Sequence, residues 1–495
     1  MRSLVWFRGK DLRVEDHAPL LEGVRAGEVV AVVVLEPQVY EASRAKEAAR
    51  SIQFFIGSLV ELALEFEGLG SSLLIALGSS AHVIPQLVER YKVDQVLAYS
   101  RSEPGERTRE ESLGRALKVP FRLMVGETLV PPTAVKNSEG SPFLVFSPFY
   151  RRLLGVITDV QVSARPSRIG PLPADVLAQL RAGSAGNVRS GMNAVPLLEE
   201  LGLRPERGLT EPGSVAARAR LKRFKTSGIN DYSMSRDDMS REGTSFLSQD
   251  LRFGTLSVRE VWNSVSGLPA SAGRDAFLRQ LGWREFAHHL LYHFPRVERE
   301  PFRQEFSGFP WRFEEGEWQA WQSGHTGYPL VDAAQRQLLA TGVVHNRARM
   351  VTASFLTKHL LIDYRRGEAH YMRWLTDADQ ANNNLGWQWS AGTGTDAQPY
   401  FRVFNPTSQG QKFDASGAYV RRWVPELSKL PASHIHTPWL APKAVLEKAG
   451  VVLERDYPLP IVEHGYARTR YLTTAGAHLA KAKARPAGGV SPAAF

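Results

Sequence analysis

Cysteine is absent from these 495 residues, which removes disulfides, thiolate zinc sites, iron–sulfur clusters and a cysteine nucleophile together. Long apolar runs are absent as well, since the stretch 29–35 falls far short of a bilayer span. Met1-Arg2 leads straight into the short apolar run 4–7, without the charged-then-apolar pattern of a signal peptide. These absences predict a cytoplasmic protein with no membrane partner and no metal site. No G-x-G-x-x-G follows the first apolar run, so a Rossmann dinucleotide site is a poor reading. No internal repeat recurs at a solenoid period.

Positive charge is abundant: the formal net charge is +10 and the pI about 9.7. A basic balance favours a polyanionic partner, although it also serves solubility alone. Eleven tryptophans stand beside many arginines, and stacking platforms with phosphate clamps use both. Most of those tryptophans are read as filling a helical core.

The length allows two or three domains. Short β-branched runs at 4–7, 29–35, 72–77, 94–99 and 121–124 alternate with helical patterns at 18–25, 50–67, 81–91 and 105–117. That alternation predicts an α/β domain over 1–130, its parallel sheet covered on both faces. From 131 to 208 the chain is rich in Pro, Gly and Ser and reads as an interdomain linker, with short helices at 147–154 and 173–181. Strand signals then vanish. Helical patterns at 213–224, 258–265, 276–293, 317–323, 329–342, 346–361, 367–375 and 414–424 predict an all-α domain over 209–475. The segment 476–495 is small and basic and reads as a flexible tail.

The densest chemistry lies in 342–406, which contains GVVHNRARMVTASFLTKHLLIDY, DADQANNNLGWQW and GTDAQPYFRVFNP. An amide, arginines and a thioether stand there near an Asp/Asn-rich turn and a Trp-x-Trp pair. Such a set suits holding a flat redox cofactor against a flat, negatively charged partner. Upstream, 243–254 reads GTSFLSQDLRFG. Hydroxyls and free N–H groups at a helix start suit a diphosphate, though Ser and Thr are also ordinary N-caps. These stretches, with LGWREF at 281–286 and WFRGKDLRVEDHAPL at 6–20, closely resemble the photolyase/cryptochrome family, in particular bacterial enzymes that repair cyclobutane pyrimidine dimers. One extra residue stands before Asp11.

The resemblance implies FAD, held by Tyr232, Thr244, Ser245, Leu247, Ser248, Phe277, Arg349, Asp377, Ala378, Asp379 and Asn383. Within that set it puts Arg349 opposite Asp377, and Asn383 against the flavin N5. It implies a substrate cavity walled by Trp283 and Trp389, with Asn346 and Met350 contacting a flipped dimer. Gln280 stands where dimer photolyases usually carry Glu, so it binds a pyrimidine edge but supplies no carboxylic proton. Arg236, Arg284 and Arg347 are the DNA-facing cations. For electron supply the resemblance gives Trp387, Tyr364 and Trp311, with Tyr364 where Trp is usual and Trp374 as a bypass. The reaction implied is light-driven splitting of dimers by an electron from reduced FAD, performed by a monomer without an obligate protein partner. An antenna, methenyltetrahydrofolate or a deazaflavin, is possible in the first domain, where Glu103 resembles a pterin-contacting acid. Three rival readings stay open: a cryptochrome-like photoreceptor, a 6-4 photolyase, which shares Gln at position 280, and a light-independent flavin enzyme.

Overall fold

The computed structural model of the chain describes residues 1–39, 48–157, 160–183, 186–191, 195–203, 206 and 208–484. The chain forms two compact units. One comprises Met1–Ser235, Gly243–Pro295 and Arg373–Ala381; the other comprises Arg236–Glu242, Arg296–Met372 and Asn382–Phe495.

The first unit is built on a six-stranded sheet, β1 (Arg2–Phe7), β2 (Glu28–Leu35), β3 (Leu73–Leu77), β4 (Gln95–Tyr99), β5 (Phe121–Met124) and β6 (Val188–Ser190), in the order β5-β4-β1-β2-β3-β6. The first five run parallel, and β6 closes one edge antiparallel to β3. The period-two alternation of the strands divides them between two cores. Val5, Phe7, Val29, Ala31, Val33 and Ile75 pack with the helix Ala49–Gly68 on one face. Leu4, Trp6, Val30, Val32, Leu74 and Val96 pack with the helix Ser80–Arg90 on the other. The strand order reverses between β1 and β4, and the loops that follow these two strands flank the crevice where open α/β sheets place ligands.

The stretch read as a linker contributes the helices Phe146–Val156 and Ala174–Arg181 as expected, and also β6, whose three residues are too few to show a period. The first unit then continues through helices, of which Val258–Ser266 and Ala272–His293 matter for the site.

The second unit is helical and departs from the expected elements in several places. The expected helix 346–361 is α-helical only over Asn346–Ser354 and then widens into a π-helical turn at Phe355–His359. The expected helix 414–424 forms only over Ala418–Trp423, and a separate helix, Pro406–Phe413, precedes it; between the two, Gly417 takes φ +73°. Asp414 sits at the break and accepts from the amides of Tyr419 and Val420 at 2.9 and 3.1 Å. Four helices of this unit had no counterpart in the sequence reading: Gln380–Ala391, Pro406–Phe413, Lys443–Ala449 and His464–Ala484. The last corrects part of the expected flexible tail: residues 476–484 are helical, with Tyr471 and Ala475 packed on Phe306, Phe309 and Leu361. Residues 485–495 of that tail lie outside those described.

Candidate functional site

In the first unit, Tyr232, Leu247 and Phe277 come together in one buried apolar cluster. Phe277 meets Tyr232 edge-on, with ring centroids 5.4 Å apart. Beside this floor, Gly243 lies so close to Ser235 that an added Cβ would overlap its backbone, and the Ser235 hydroxyl donates to the Gly243 carbonyl at 3.1 Å. Phe246 takes φ +54°, a left-handed backbone that non-glycine residues enter only at a cost. The segment thus leaves the preceding turn sharply and delivers Ser248 to the start of a short helix, Ser248–Phe253. Thr244 and Ser245 are half-buried and Ser248 exposed.

Asp377, Ala378 and Asp379 are buried in the same unit. Asp379 belongs to an ionic cluster whose hub is Lys10. The Lys10 ammonium donates to Glu103, to Glu127 at 2.6 Å and to Asp379 at 2.8 Å. Lys10 and Glu103 follow the ends of β1 and β4, so the cluster fills the crevice where the strand order reverses. Burial opposes charge on these carboxyls, but Lys10 beside them holds Asp379 and Glu127 well below the usual carboxylate range. His288 lies between Glu127 and Asp379 at 3.8 and 3.7 Å, and burial lowers its basicity. The ligand atoms of Glu127, His288 and Asp379 lie within 4.8 Å of one another, the spacing of a metal site. The Lys10 ammonium already supplies cationic charge there. Glu103, expected at an antenna, is committed to Lys10 and Arg101.

The helix Ala272–His293 carries Gln280, Trp283 and Arg284. Trp283 is partly exposed and stacks on Phe146, centroids 3.7 Å apart and planes 7° from parallel. The Gln280 amide reaches only the Ala276 carbonyl of its own helix, at 3.5 Å. Arg284, expected as a DNA-facing cation, is partly buried. It turns to Glu285 at 3.2 Å, and its charge acts on His288 and Asp379.

In the second unit, His345 caps the helix Asn346–Ser354, its ring accepting from the Arg347 amide at 3.1 Å. Burial pushes that imidazole down to about 4, so it stays neutral and can accept. The cap presents Asn346 exposed, and Asn346 Nδ2 and Met350 Sδ approach to 3.7 Å one turn apart. Arg347 pairs with Asp237 at 2.9 Å and lies over the Phe413 ring at 4.3 Å. Arg236 is half-buried beside Asp237. Arg349 donates to the Val344 carbonyl at 2.8 Å.

Asn383 Nδ2 donates to the Glu368 carbonyl at 3.0 Å, leaving its amide oxygen as the acceptor. Trp389 is partly exposed further along the helix Gln380–Ala391. Trp387 is buried, and Gly367 makes room for it, since a Cβ there would overlap its ring. Its ring neighbours are Tyr371 at 5.1 Å and Trp321 at 6.1 Å. Trp321 stacks on the partly exposed Trp318 at 5.3 Å. Tyr364 meets Trp311 at 6.4 Å, but its buried hydroxyl has no hydrogen-bond partner among the described residues. Trp374 falls in the first unit and is partly exposed.

The family model for the FAD binding domain of DNA photolyase matches residues 277–477, and that for DNA photolyase matches 3–167. The deoxyribodipyrimidine photo-lyase of Agrobacterium fabrum is 38% identical over 95% of this chain and 96% of its own. That of Escherichia coli is 36% identical over 95% and 97%. Among solved structures, a bacterial class III photolyase from Agrobacterium tumefaciens is 36% identical with a TM-score of 0.87, covering 97% of this chain and 98% of its own. A Synechocystis cryptochrome is 28% identical with a TM-score of 0.83, covering 96% and 99%. This chain belongs to the DNA photolyase family.

The photolyase residues present fit FAD. The Thr244, Ser245 and Ser248 hydroxyls accept and donate no hydrogen bond within the described residues, and no backbone bond is donated by 244–248. That is a set of free donors suited to a diphosphate. In the first unit the apolar floor suits a flat ring, and in the second the Asn383 amide oxygen is left as an acceptor. Sequence reasoning missed the groups that hold these residues. Lys10, Glu127 and His288 fix Asp379, and Glu368, Asn384 and Gln388 fix the Asn383 helix through the Val297 carbonyl at 2.9 and 3.0 Å. The odd residue before Asp11 was a signal for Lys10, and the Asn run was one for Asn384.

Proposed function

We propose that this photolyase splits cyclobutane pyrimidine dimers in DNA under blue or near-ultraviolet light. The observation that carries this reading is the pair of exposed Asn346 and half-buried Met350, whose amide and thioether sit 3.7 Å apart at a capped helix start. An amide can donate to and accept from a base edge, and a polarizable thioether packs against its apolar face. Reduced FAD, when bound, supplies the photoexcited electron that opens the cyclobutane ring and takes it back. The chain's residues do the rest. Thr244, Ser245 and Ser248 hold the diphosphate, while Tyr232, Leu247 and Phe277 exclude water. Arg349, Asp377 and Asp379 set the charge around the ring, Ala378 lines it, and Asn383 accepts a hydrogen at its edge. Trp283 and Trp389 stack on the extruded bases, Gln280 bonds a pyrimidine edge, and Arg236 and Arg347 add positive charge. Trp387 delivers electrons inward during photoreduction.

In domain terms we read 1–130 as the antenna-type domain, 131–208 as the connector and 209–475 as the FAD-binding catalytic domain. We read the protein as a cytoplasmic monomer without an obligate protein partner; among the described residues no helix is long and apolar enough to cross a membrane. Gln280 favours one second reading, repair of 6-4 photoproducts. The test is the loss of dimers from ultraviolet-treated DNA under blue light, with fully reduced flavin, beside a defined 6-4 oligonucleotide. Dimers should disappear and the 6-4 lesion persist; loss of neither lesion would leave the photoreceptor reading.

A further inference from the structure

Trp283 does not stand alone. Phe146 lies flat against it, and Tyr150 continues the ladder, its ring 5.5 Å from Phe146 at 19°. Both belong to the helix Phe146–Val156, from the stretch that reads as a connector. Phe146 is 1% exposed, so one face of the Trp283 indole is sealed by a ring that has no freedom to leave. Gly282 makes the approach possible, because a Cβ there would overlap the Tyr150 ring. The outermost member is a cation. The Arg279 guanidinium lies 4.7 Å over Phe146 and 5.6 Å over Tyr150. Arg279 is exposed, and among the described residues no carboxylate pairs with it. Arg284, on the same helix, is spent on the buried acids. Arg279 and Trp283 are four residues apart on that helix and therefore share a face.

We propose that Phe146 and Tyr150 are positioning residues for damaged-DNA recognition, holding Trp283 rigid for an extruded base and Arg279 extended for a neighbouring phosphate. This rests on the reading of Trp283 as a wall of the lesion cavity. A stacked indole loses little rotamer freedom when a base arrives, so less ordering cost is charged against binding. A guanidinium resting on aromatic faces keeps its N–H edges free for phosphate oxygens. The two roles separate experimentally, because stacking carries lesion preference and phosphate contact carries salt dependence.

The experiment measures dissociation constants of FAD-loaded protein for dimer-containing and undamaged duplexes across a salt series. Phe146→Leu should lower the preference for the dimer roughly fivefold to tenfold, with the salt slope little changed because Tyr150 still lies under Arg279, and Phe146→Tyr should restore the preference. Arg279→Gln should weaken both duplexes alike and reduce the salt slope by about one. Trp283→Ala is the control for the underlying reading: if it leaves the preference intact, Trp283 is not a lesion wall. If Trp283→Ala abolishes the preference while Phe146→Leu keeps it, the positioning role is wrong. An unchanged salt slope in Arg279→Gln overturns the phosphate contact. Should Phe146→Leu fail to fold, Tyr150→Leu acts one ring further out. A smaller loss of preference is then expected, and an unaltered one counts against the proposal.

Discussion

Asn346 and Met350 divide the contact with a flipped base between a hydrogen-bonding group and a polarizable one. Each is small in energy, since a net hydrogen bond or a thioether–ring contact contributes on the order of 1 kcal/mol. Asn346→Ala combined with Met350→Ala should therefore weaken dimer binding about 10- to 100-fold. FAD content, read from absorbance, should not change. Unchanged repair by the double variant would show that these side chains face something else. Tyr364 raises a separate question, because oxidised tyrosine normally sheds its phenolic proton. Its hydroxyl has no acceptor among the described residues, and burial raises its pKa further from the physiological range. The path Trp387–Trp321–Trp318 contains no such proton and reaches a partly exposed ring. Trp321→Phe should accordingly slow photoreduction of the flavin more than Tyr364→Phe does, measured as reduced-flavin absorbance under steady blue light. The opposite order would return the main route to Tyr364.

The elements show which signals a sequence carries. Strands β1 to β4 were legible because each residue commits to one face, and the two cores preserve that alternation. The helix Gln380–Ala391 was not, since its Asn run and Gly386 are poor helix formers. Its stability comes from burial and from Asn384 and Gln388 donating to the Val297 carbonyl, a partner far away in sequence. The widening at Phe355–His359 was hidden for a related reason. An α-helical and a π-helical turn share the same apolar pattern, and the difference lies in where Lys358 and His359 end up, both fully buried. At Asp414 the missing break has a local cause that pattern reading overlooked, an acidic cap four residues before a helix. Asp414→Ala should remove that cap and cost about 1–2 kcal/mol of stability. Thermal unfolding would check it, and Asp414→Asn should recover most of the loss. The candidate site followed the same division. Motif residues such as Thr244, Asn346 and Asp379 were visible, whereas Lys10, Glu368, Phe146 and Arg279 act through contacts that only the folded chain makes.

Across the whole molecule, buried ionisable groups set opposing responses to pH. Burial lowers His289 and His345 to about 4 and His359 to about 3. The folded chain keeps these rings neutral while the unfolded chain protonates them below about 6.5. They therefore remove stability as pH falls from 6.5 towards 4. Glu285 and Glu368 work the other way, because burial raises both to about 7. At pH 5 the folded chain holds protons on these carboxyls that the unfolded chain has largely released, so acidification from 7.5 to 5 strengthens the fold through them. Glu368 is anchored by Asn384, whose amide donates to its carboxyl at 3.0 Å, and an amide at position 368 would imitate the protonated form at every pH. Glu368→Gln should thus be more stable than the parent at pH 7.5 and gain little at pH 5. The change in unfolding free energy between those two pH values should shift by roughly 2–3 kcal/mol towards steeper acid loss. Urea unfolding of both proteins at each pH measures this directly. Parallel profiles would mean that Glu368 is already ionised in the folded chain at pH 5, and its contact with Asn384 would then be a charged one.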